Sequence, residues 1–313
     1  MKLSRTMILT VTLLAISLGA AVGNAQDPSQ ATIKVIPVAG GVYMLEGAGG
    51  NIGLSVGKDD AFMIDDQFAP LTPKIRAAIA TLTQKPVRFL LNTHWHSDHT
   101  GGNENMAGAG AIVVAHENVR RRMSTDQFIE AMNIKVQASP ATALPVVTFT
   151  ETVTFYVNGD SVRAVHVRNA HTDGDALVMF RKANVIHMGD TFFNGMYPFI
   201  DVSSGGSVDG LLAAIDVGLS MSNAGTRIIP GHGPLASRQD LVRYRELLKT
   251  VSDRVARLVA QRRTLAQVVA AKPSADYDGK WGGGFMKPDA FVTMVYTSLS
   301  KSRGTPAARR RGR

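Results

Sequence analysis

The stretch on which the reading turns is Asn92-Thr-His-Trp-His-Ser-Asp-His-Thr-Gly-Gly102. It sets His94, His96, Asp98 and His99 within six positions, directly after an apolar run at 87–91 with strand character. Imidazole nitrogen and carboxylate oxygen are ligands that divalent metals such as zinc prefer. If the segment stays extended, alternate residues share a face, so His94, His96 and Asp98 project together while His99 turns off that line. That arrangement suits two adjacent metals better than one. A polar turn after a strand is the plain alternative; it accounts for a lone histidine but poorly for four ligand-type residues at this spacing.

Around the cluster the chain alternates between two patterns. Strands at 33–38, 42–46, 51–56 and 61–64 are punctuated by glycine turns at Gly40-Gly41 and Gly47–Gly50. A helix is expected over 70–83, where Leu71, Ile75, Ala78, Ile79 and Leu82 recur at helical spacing and Pro73 sits in the first turn. After strands 87–91 and 111–115 comes a helical stretch from 117 to about 131. Beyond Pro140 and Pro145 strands return at 146–149, 152–157, 161–167, 176–180 and 184–187. Helix 208–219, strand 227–229 and helices 239–269 and 288–299 close the body. Strands then helices, twice over, indicate two similar αβ halves packed through their sheets. With no sequence repeat and no linker between them, the halves form one domain.

The two ends differ from the body. Lys2 and Arg5 precede an apolar run at 7–22, and Gly23-Asn24-Ala25 offers small residues for cleavage before Gln26, the pattern of a signal peptide at 1–25. That run is shorter than the roughly 20 residues of a membrane span, so export to the periplasm without stable membrane insertion is expected, with the folded body at 26–302. The formal charge of +9 falls to about +2 once Lys2, Arg5 and the five arginines of a basic, disordered tail at 303–313 are set aside. Nucleic acid is therefore not an expected partner; a small-molecule substrate is. The chain has no cysteine, so stability comes from a packed core and any metal site is built without thiolate.

Four other histidine or aspartate positions lie at strand ends or in turns: Asp65 in Met63-Ile-Asp-Asp66, His171 in Asn169-Ala-His-Thr-Asp-Gly-Asp175, Asp190 in His187-Met-Gly-Asp-Thr191, and His232 in Ile229-Pro-Gly-His-Gly-Pro234. The series His94-x-His96-x-Asp98-His99, His171, Asp190, His232 resembles the ligand series of the metallo-β-lactamase superfamily, over 51–233. The resemblance implies a four-layered αββα sandwich with two zinc ions at one edge of the sheets. It assigns His94, His96 and His171 to one ion, and Asp98, His99 and His232 to the other. It makes Asp65 a carboxylate that orients a ligand imidazole. Aspartate at 190, where some zinc β-lactamases carry cysteine, is similar to the glyoxalase II pattern of a carboxylate bridging both metals, found in thioesterases, lactonases and phosphodiesterases. Iron or manganese are alternatives to zinc.

Two ions roughly 3.5–4 Å apart can share a hydroxide near neutral pH, with Asp98 placed to accept its hydrogen bond and later a proton. Phe192, Tyr197 and Phe199 could wall a substrate, or could equally be core beneath a long loop. Thr191, Phe192 and Phe193 offer no cation for a β-lactam carboxylate. Four functions are open to such a site. An exported dizinc hydrolase of a small amide, ester, lactone or thioester, with some β-lactamase activity open to it, fits best. A phosphodiesterase or nuclease is disfavoured by the charge balance, an oxygen-reducing di-iron protein by the lack of room for a flavin domain, and a non-catalytic metal-binding protein by the full ligand set. Trp281-Gly-Gly-Gly284 has no assigned role.

Overall fold

The computed structural model describes residues 30–304. The expected leader at 1–25 lies outside them, as does the tail from 305 onward; Arg303 and Gly304 belong to the last helix. The first half runs β1 (Lys34–Ala39), β2 (Val42–Glu46), β3 (Ile52–Ser55), β4 (Ala61–Ile64), α1 (Thr72–Ala80), β5 (Val87–Asn92), α2 (Ser97–Thr100), α3 (Asn103–Gly108), β6 (Ile112–His116) and α4 (Glu117–Met123). The chain continues through β7 (Gln127–Ile129), β8 (Ile134–Val136), β9 (Val147–Phe149), β10 (Thr152–Val157), β11 (Asp160–His166), β12 (Ala176–Phe180) and β13 (Val185–His187). It ends with α5 (Val208–Met221), β14 (Arg227–Ile229), β15 (Ala236–Ser237), α6 (Arg238–Ala260), α7 (Leu265–Ala270), α8 (Ala275–Trp281) and α9 (Pro288–Gly304).

Two sheets carry the architecture. One orders its strands β1-β2-β3-β4-β5-β6-β9, the other β10-β11-β12-β13-β14-β15. Alternation along single strands builds the layers. On β4, Phe62 and Ile64 enter the core between the sheets while Met63 faces outward with Ile75 and Ile79 of α1. On β12 and β13, Val178 and Val185 point into that same inter-sheet core, and Leu177 and Ile186 point out toward α5, α6 and α9. The result is the expected helix–sheet–sheet–helix sandwich. Phe62 meets Phe155 and Phe180 edge-on across the sheets, at 4.9 and 6.3 Å between ring centres. Each fully buried side chain of this size contributes roughly 1.5–3 kcal/mol.

Two expected helices differ in extent, and α2, α3 and α8 form where no helix was expected. The helix expected to reach 131 stops at Met123, because Ser124-Thr125-Asp126 turns the chain and Gln127 Nε2 donates back to Arg122 O. The next residues pair as the hairpin β7–β8, with Asn133 taking the left-handed turn at φ 55°. The helix expected over 239–269 is two, α6 and α7. Arg262 at φ 57° ends the first, and Thr264 with Gln267 forms a capping box that starts the second.

Candidate metal centre

The parallel pairings β4–β5 and β13–β14 bring the C-terminal ends of β5, β13 and β14 to one edge of the sandwich. Every ligand expected from sequence lies there or in the β11–β12 turn. After β5 the chain stays extended through His94 and His96. It then turns helical at Ser97 with His96 as the N-cap residue, so Asp98 leaves the line of His94 and His96. The extended reading of that stretch therefore fails at Asp98, and the side chains sort into two groups. His94, His96, His171 and Asp190 converge in one; Asp98, His99 and His232 converge in the other.

Asp190 joins them. Its Oδ2 lies 3.5 Å from His171 Nε2 and 3.8 Å from His94 Nε2, while Oδ1 lies 3.1 Å from His99 Nε2 and 3.4 Å from His232 Nε2. Asp98 Oδ2 completes the second group at 3.2 Å from His232 Nε2 and 3.5 Å from His99 Nε2. His94, His99 and His171 are fully buried. Solvent reaches the centre at Asp98 and His232, whose side chains are 26% and 22% exposed.

Contacts behind the ligands decide which nitrogen each imidazole presents. His99 Nδ1 lies 2.8 Å from Asp65 Oδ2, and His171 Nδ1 lies 2.8 Å from Phe199 O. Thr93 Oγ1 donates to Asp65 Oδ2 at 2.7 Å, so it accepts from His94 Nδ1 at 3.1 Å. His96 is reversed: its Nε2 bonds Asp201 Oδ2 at 3.1 Å, leaving Nδ1 inward. With the outward nitrogens donating, the inward ones carry lone pairs. His171 Nε2 and His96 Nδ1 then face each other at 2.9 Å, and His94 Nε2 and Asp190 Oδ1 are buried without a hydrogen bond. Buried polar atoms are rarely left so. A cation held between them resolves both the converging lone pairs and the orphaned atoms, so the donor set fits a divalent metal.

The electrostatics divide the two groups: against burial, Asp190 and Asp98 raise His99 and His232, the latter to about 9, so a metal there must displace protons. Burial opposes ionisation of Asp190, but His232, His99 and His94 outweigh it and hold the carboxyl well below its usual range. Asp98 is likewise lowered, against burial, by His99 and His232. Burial pulls His171 down to about 4 and holds His94 well below its usual range, keeping both neutral as ligands must be.

Other expected residues fall differently. Asp65 sits where expected, at φ 58°, and also accepts Thr93 N–H at 2.7 Å. Phe192 and Tyr197 are core, not cleft: both are fully buried, Phe192 against Tyr244 and Tyr197 stacked on Phe291, because α6 and α9 cover that loop. Phe199 does reach the centre, its ring 5.9 Å from His96 and 5.7 Å from His171. Phe193, which the sequence places in the same aromatic group, stacks on His232 at 5.2 Å. Sequence reading missed Thr93, Asp201 and Asn51, whose Nδ2 donates to Pro230 O and Gly233 O and so pins the His232 turn to the first sheet. Asp201 had one visible signal, an Asp-x-Ser-Ser cap, but nothing in it points to His96.

Comparison with known proteins agrees with the geometry. The family model of the metallo-β-lactamase superfamily matches residues 45–259, and the chain belongs to that superfamily. Among curated proteins it is 28% identical over 194 residues to a hydroxyacylglutathione hydrolase of Polaromonas sp. (strain JS666 / ATCC BAA-500), covering 59% of this chain and 66% of that one, just under two thirds of the relative's length. Among solved structures, a metallo-β-lactamase from Pontibacter korlensis superposes with a TM-score of 0.57 at 20% identity, over 70% of this chain and 99% of that one. The stereoselective inverting sec-alkylsulfatase Pisa1 from Pseudomonas sp. superposes at 0.62 and 18% identity, over 85% of this chain and 50% of that one. These two likenesses establish the fold. The chain is thus a member of that superfamily with a histidine–aspartate site suited to divalent metal.

Proposed function

We propose that the protein is a dizinc hydrolase of small carboxylic substrates, an ester, thioester, lactone or amide. The observation that carries this is the divided Asp190 carboxylate, one oxygen toward each ligand group. Two zinc ions bound there supply a water acidified to near neutrality and a Lewis acid for the carbonyl oxygen. The protein's own groups do the rest. Asp98, ionised and partly exposed between His99 and His232, accepts a proton from the attacking water and can return it to the leaving heteroatom. The water oxygen joins the acyl carbon, the bond to the heteroatom breaks, and that heteroatom leaves with the proton.

Kinship with a hydroxyacylglutathione hydrolase favours a thioester or ester over a β-lactam. So do Thr191, Phe192 and Phe193, which are buried and uncharged where a drug carboxylate would need a cation. The signal-like sequence at 1–25 supports work in the periplasm on a diffusible small molecule. Among the described residues no helix is long and apolar enough to cross a membrane.

The test is metal analysis of the purified protein together with turnover of a thioester and of a chromogenic cephalosporin. Two metals per chain, thioester turnover and its loss in a folded Asp190→Ala variant are expected. Fewer than one metal per chain in saturating zinc, or undiminished turnover in Asp190→Ala, would overturn the reading.

A further inference from the structure

Each sheet of the sandwich ends in two edge strands, and an edge strand offers unpaired N–H and C=O groups to any other strand. Three of the four edges are protected. β1 carries Lys34 and Pro37, and its register breaks between Pro37 and Ala39. β9 has three residues and β15 two, lengths that offer little to pair with. β10 has no such protection. Its six residues, Thr152-Val-Thr-Phe-Tyr-Val157, are strong strand formers without charge, proline or glycine, and they pair with β11 in unbroken register.

The turn after β10 identifies the groups left free. Asn158 and Gly159, at φ 57° and 71°, form a two-residue turn into β11, so Val157 and Asp160 are a hydrogen-bonded pair. Bonded pairs recur at alternate residues, through Phe155 and Val153 to Glu151, whose O accepts from His166 N–H at 2.8 Å. The N–H and C=O of Thr152, Thr154 and Tyr156 therefore point away from β11, and among the described residues no strand pairs with them. Their side chains are exposed, Tyr156 at 86%, while Val153 and Phe155 lie half-buried against the inter-sheet core.

We propose that β10 is the interface between two copies of this chain. It pairs antiparallel with its counterpart about a two-fold axis at Thr154, which joins the two six-stranded sheets into one. The edge is complementary to itself. Thr154, the residue that meets its own copy, is neutral, so no like charges face each other there. Thr152 comes opposite Tyr156 on the exposed face, a β-branched–aromatic pair, and Val153 comes opposite Phe155, extending the apolar core across the junction. The ends match in charge. That register brings Glu151, which is 65% exposed and also pairs with Arg168, opposite Val157 at the other copy's turn. At that turn the Lys182 ammonium lies 3.8 Å from where a Cβ on Gly159 would stand.

Sedimentation of the purified protein at high micromolar concentration should show a dimer. Thr154→Lys sets two ammonium groups face to face, and Thr154→Pro removes an N–H that β11 does not use. Each should weaken dimerisation at least about tenfold while far-UV circular dichroism stays unchanged. Because the chain has no cysteine, Thr154→Cys adds a single thiol. Mild oxidation should link two such chains at high yield, and should not link Ala77→Cys, on the exposed side of α1. A protein that stays monomeric leaves the edge to a different partner and overturns the proposal. So does a dimer unweakened by both Thr154→Lys and Thr154→Pro, or an assembly larger than two, since this pairing uses up the edge. Equal cross-linking of Thr154→Cys and Ala77→Cys overturns it as well.

Discussion

Asp201 Oδ2 lies 3.1 Å from His96 Nε2, and this contact makes His96 the one imidazole of its group to present Nδ1 inward. Removing an orienting carboxylate of this kind typically costs 10–100-fold in metal affinity. Asp201→Ala is expected to weaken zinc at the His94/His96/His171 group by that factor, with a smaller effect on the Asp98/His99/His232 group. Competition with a chromophoric chelator resolves the two affinities. Equal weakening of both, or of neither, contradicts the assignment.

Asp65 gathers three donors, from Thr93 N–H, Thr93 Oγ1 and His99 Nδ1, in a fully buried position. Asparagine tolerates its left-handed backbone but offers one acceptor oxygen in place of two. Asp65→Asn should therefore destabilise the fold by about 1–3 kcal/mol and weaken metal binding at His99. Thermal unfolding with and without zinc separates the two losses; an unchanged melting temperature refutes the first.

Gly231 packs so closely on the bridging aspartate that a Cβ there would collide with Asp190 Oδ1 and with the Gly189 backbone. Gly231→Ala should displace the shared carboxylate and leave one metal per chain where the wild type holds two. Metal counting by mass spectrometry decides it: two metals per chain with wild-type turnover would show that the contact is tolerated.

Metal removal should cost stability as well as activity. At a hundredfold excess over Kd, one bound ion adds about 2.7 kcal/mol, and in a domain near this size each kcal/mol moves Tm by roughly 2–4 °C. A melt in chelator is expected several degrees below a melt in zinc. Coincident curves would mean that the folded protein binds no metal in preference to the unfolded chain.

His116 and His166 stack at 3.7 Å and 12°, away from the metal centre. Both are lowered, chiefly by burial, His116 also by His166 and His166 also by Arg168; Glu117, Glu151 and Asp173 pull the other way. The unfolded chain takes up protons below about pH 6.5 that the folded pair resists. The pair's stability is therefore fully present above that pH and is lost as pH falls through the folded values. His116→Gln removes one titrating ring, so the Tm gap between wild type and variant should narrow from about pH 7.5 to 5. A constant or widening gap contradicts the sign.

Most of the centre was legible because its ligands follow apolar runs that can only be strands: His94 after β5, Asp190 after β13, His232 after β14. Chemistry concentrated in one short motif is local information. What escaped is not local. Thr93 and Asp201 act through partners whose approach no spacing reveals, 28 residues away for Thr93 and Asp65 and 105 for Asp201 and His96. The aromatic loop was ambiguous for a related reason. Phe192, Phe193, Tyr197 and Phe199 are equally apolar, and only the packing of α6 and α9 buries the first and third while leaving the second and fourth on the ligands. Hairpin β7–β8 hid in a stretch with apolar residues at both helical and alternating spacing, where three polar residues at 124–126 made the difference.

Each ligand group draws from both halves of the sandwich: His94 and His96 meet His171, and Asp98 and His99 meet His232. An ion in either group is therefore a clasp between segments far apart in the chain. In a chain without a single cysteine, such clasps take the place of disulfides, with one difference: a chelator undoes them and a trace of metal restores them. On that account metal starvation would cost the protein its endurance, linking its abundance to metal supply.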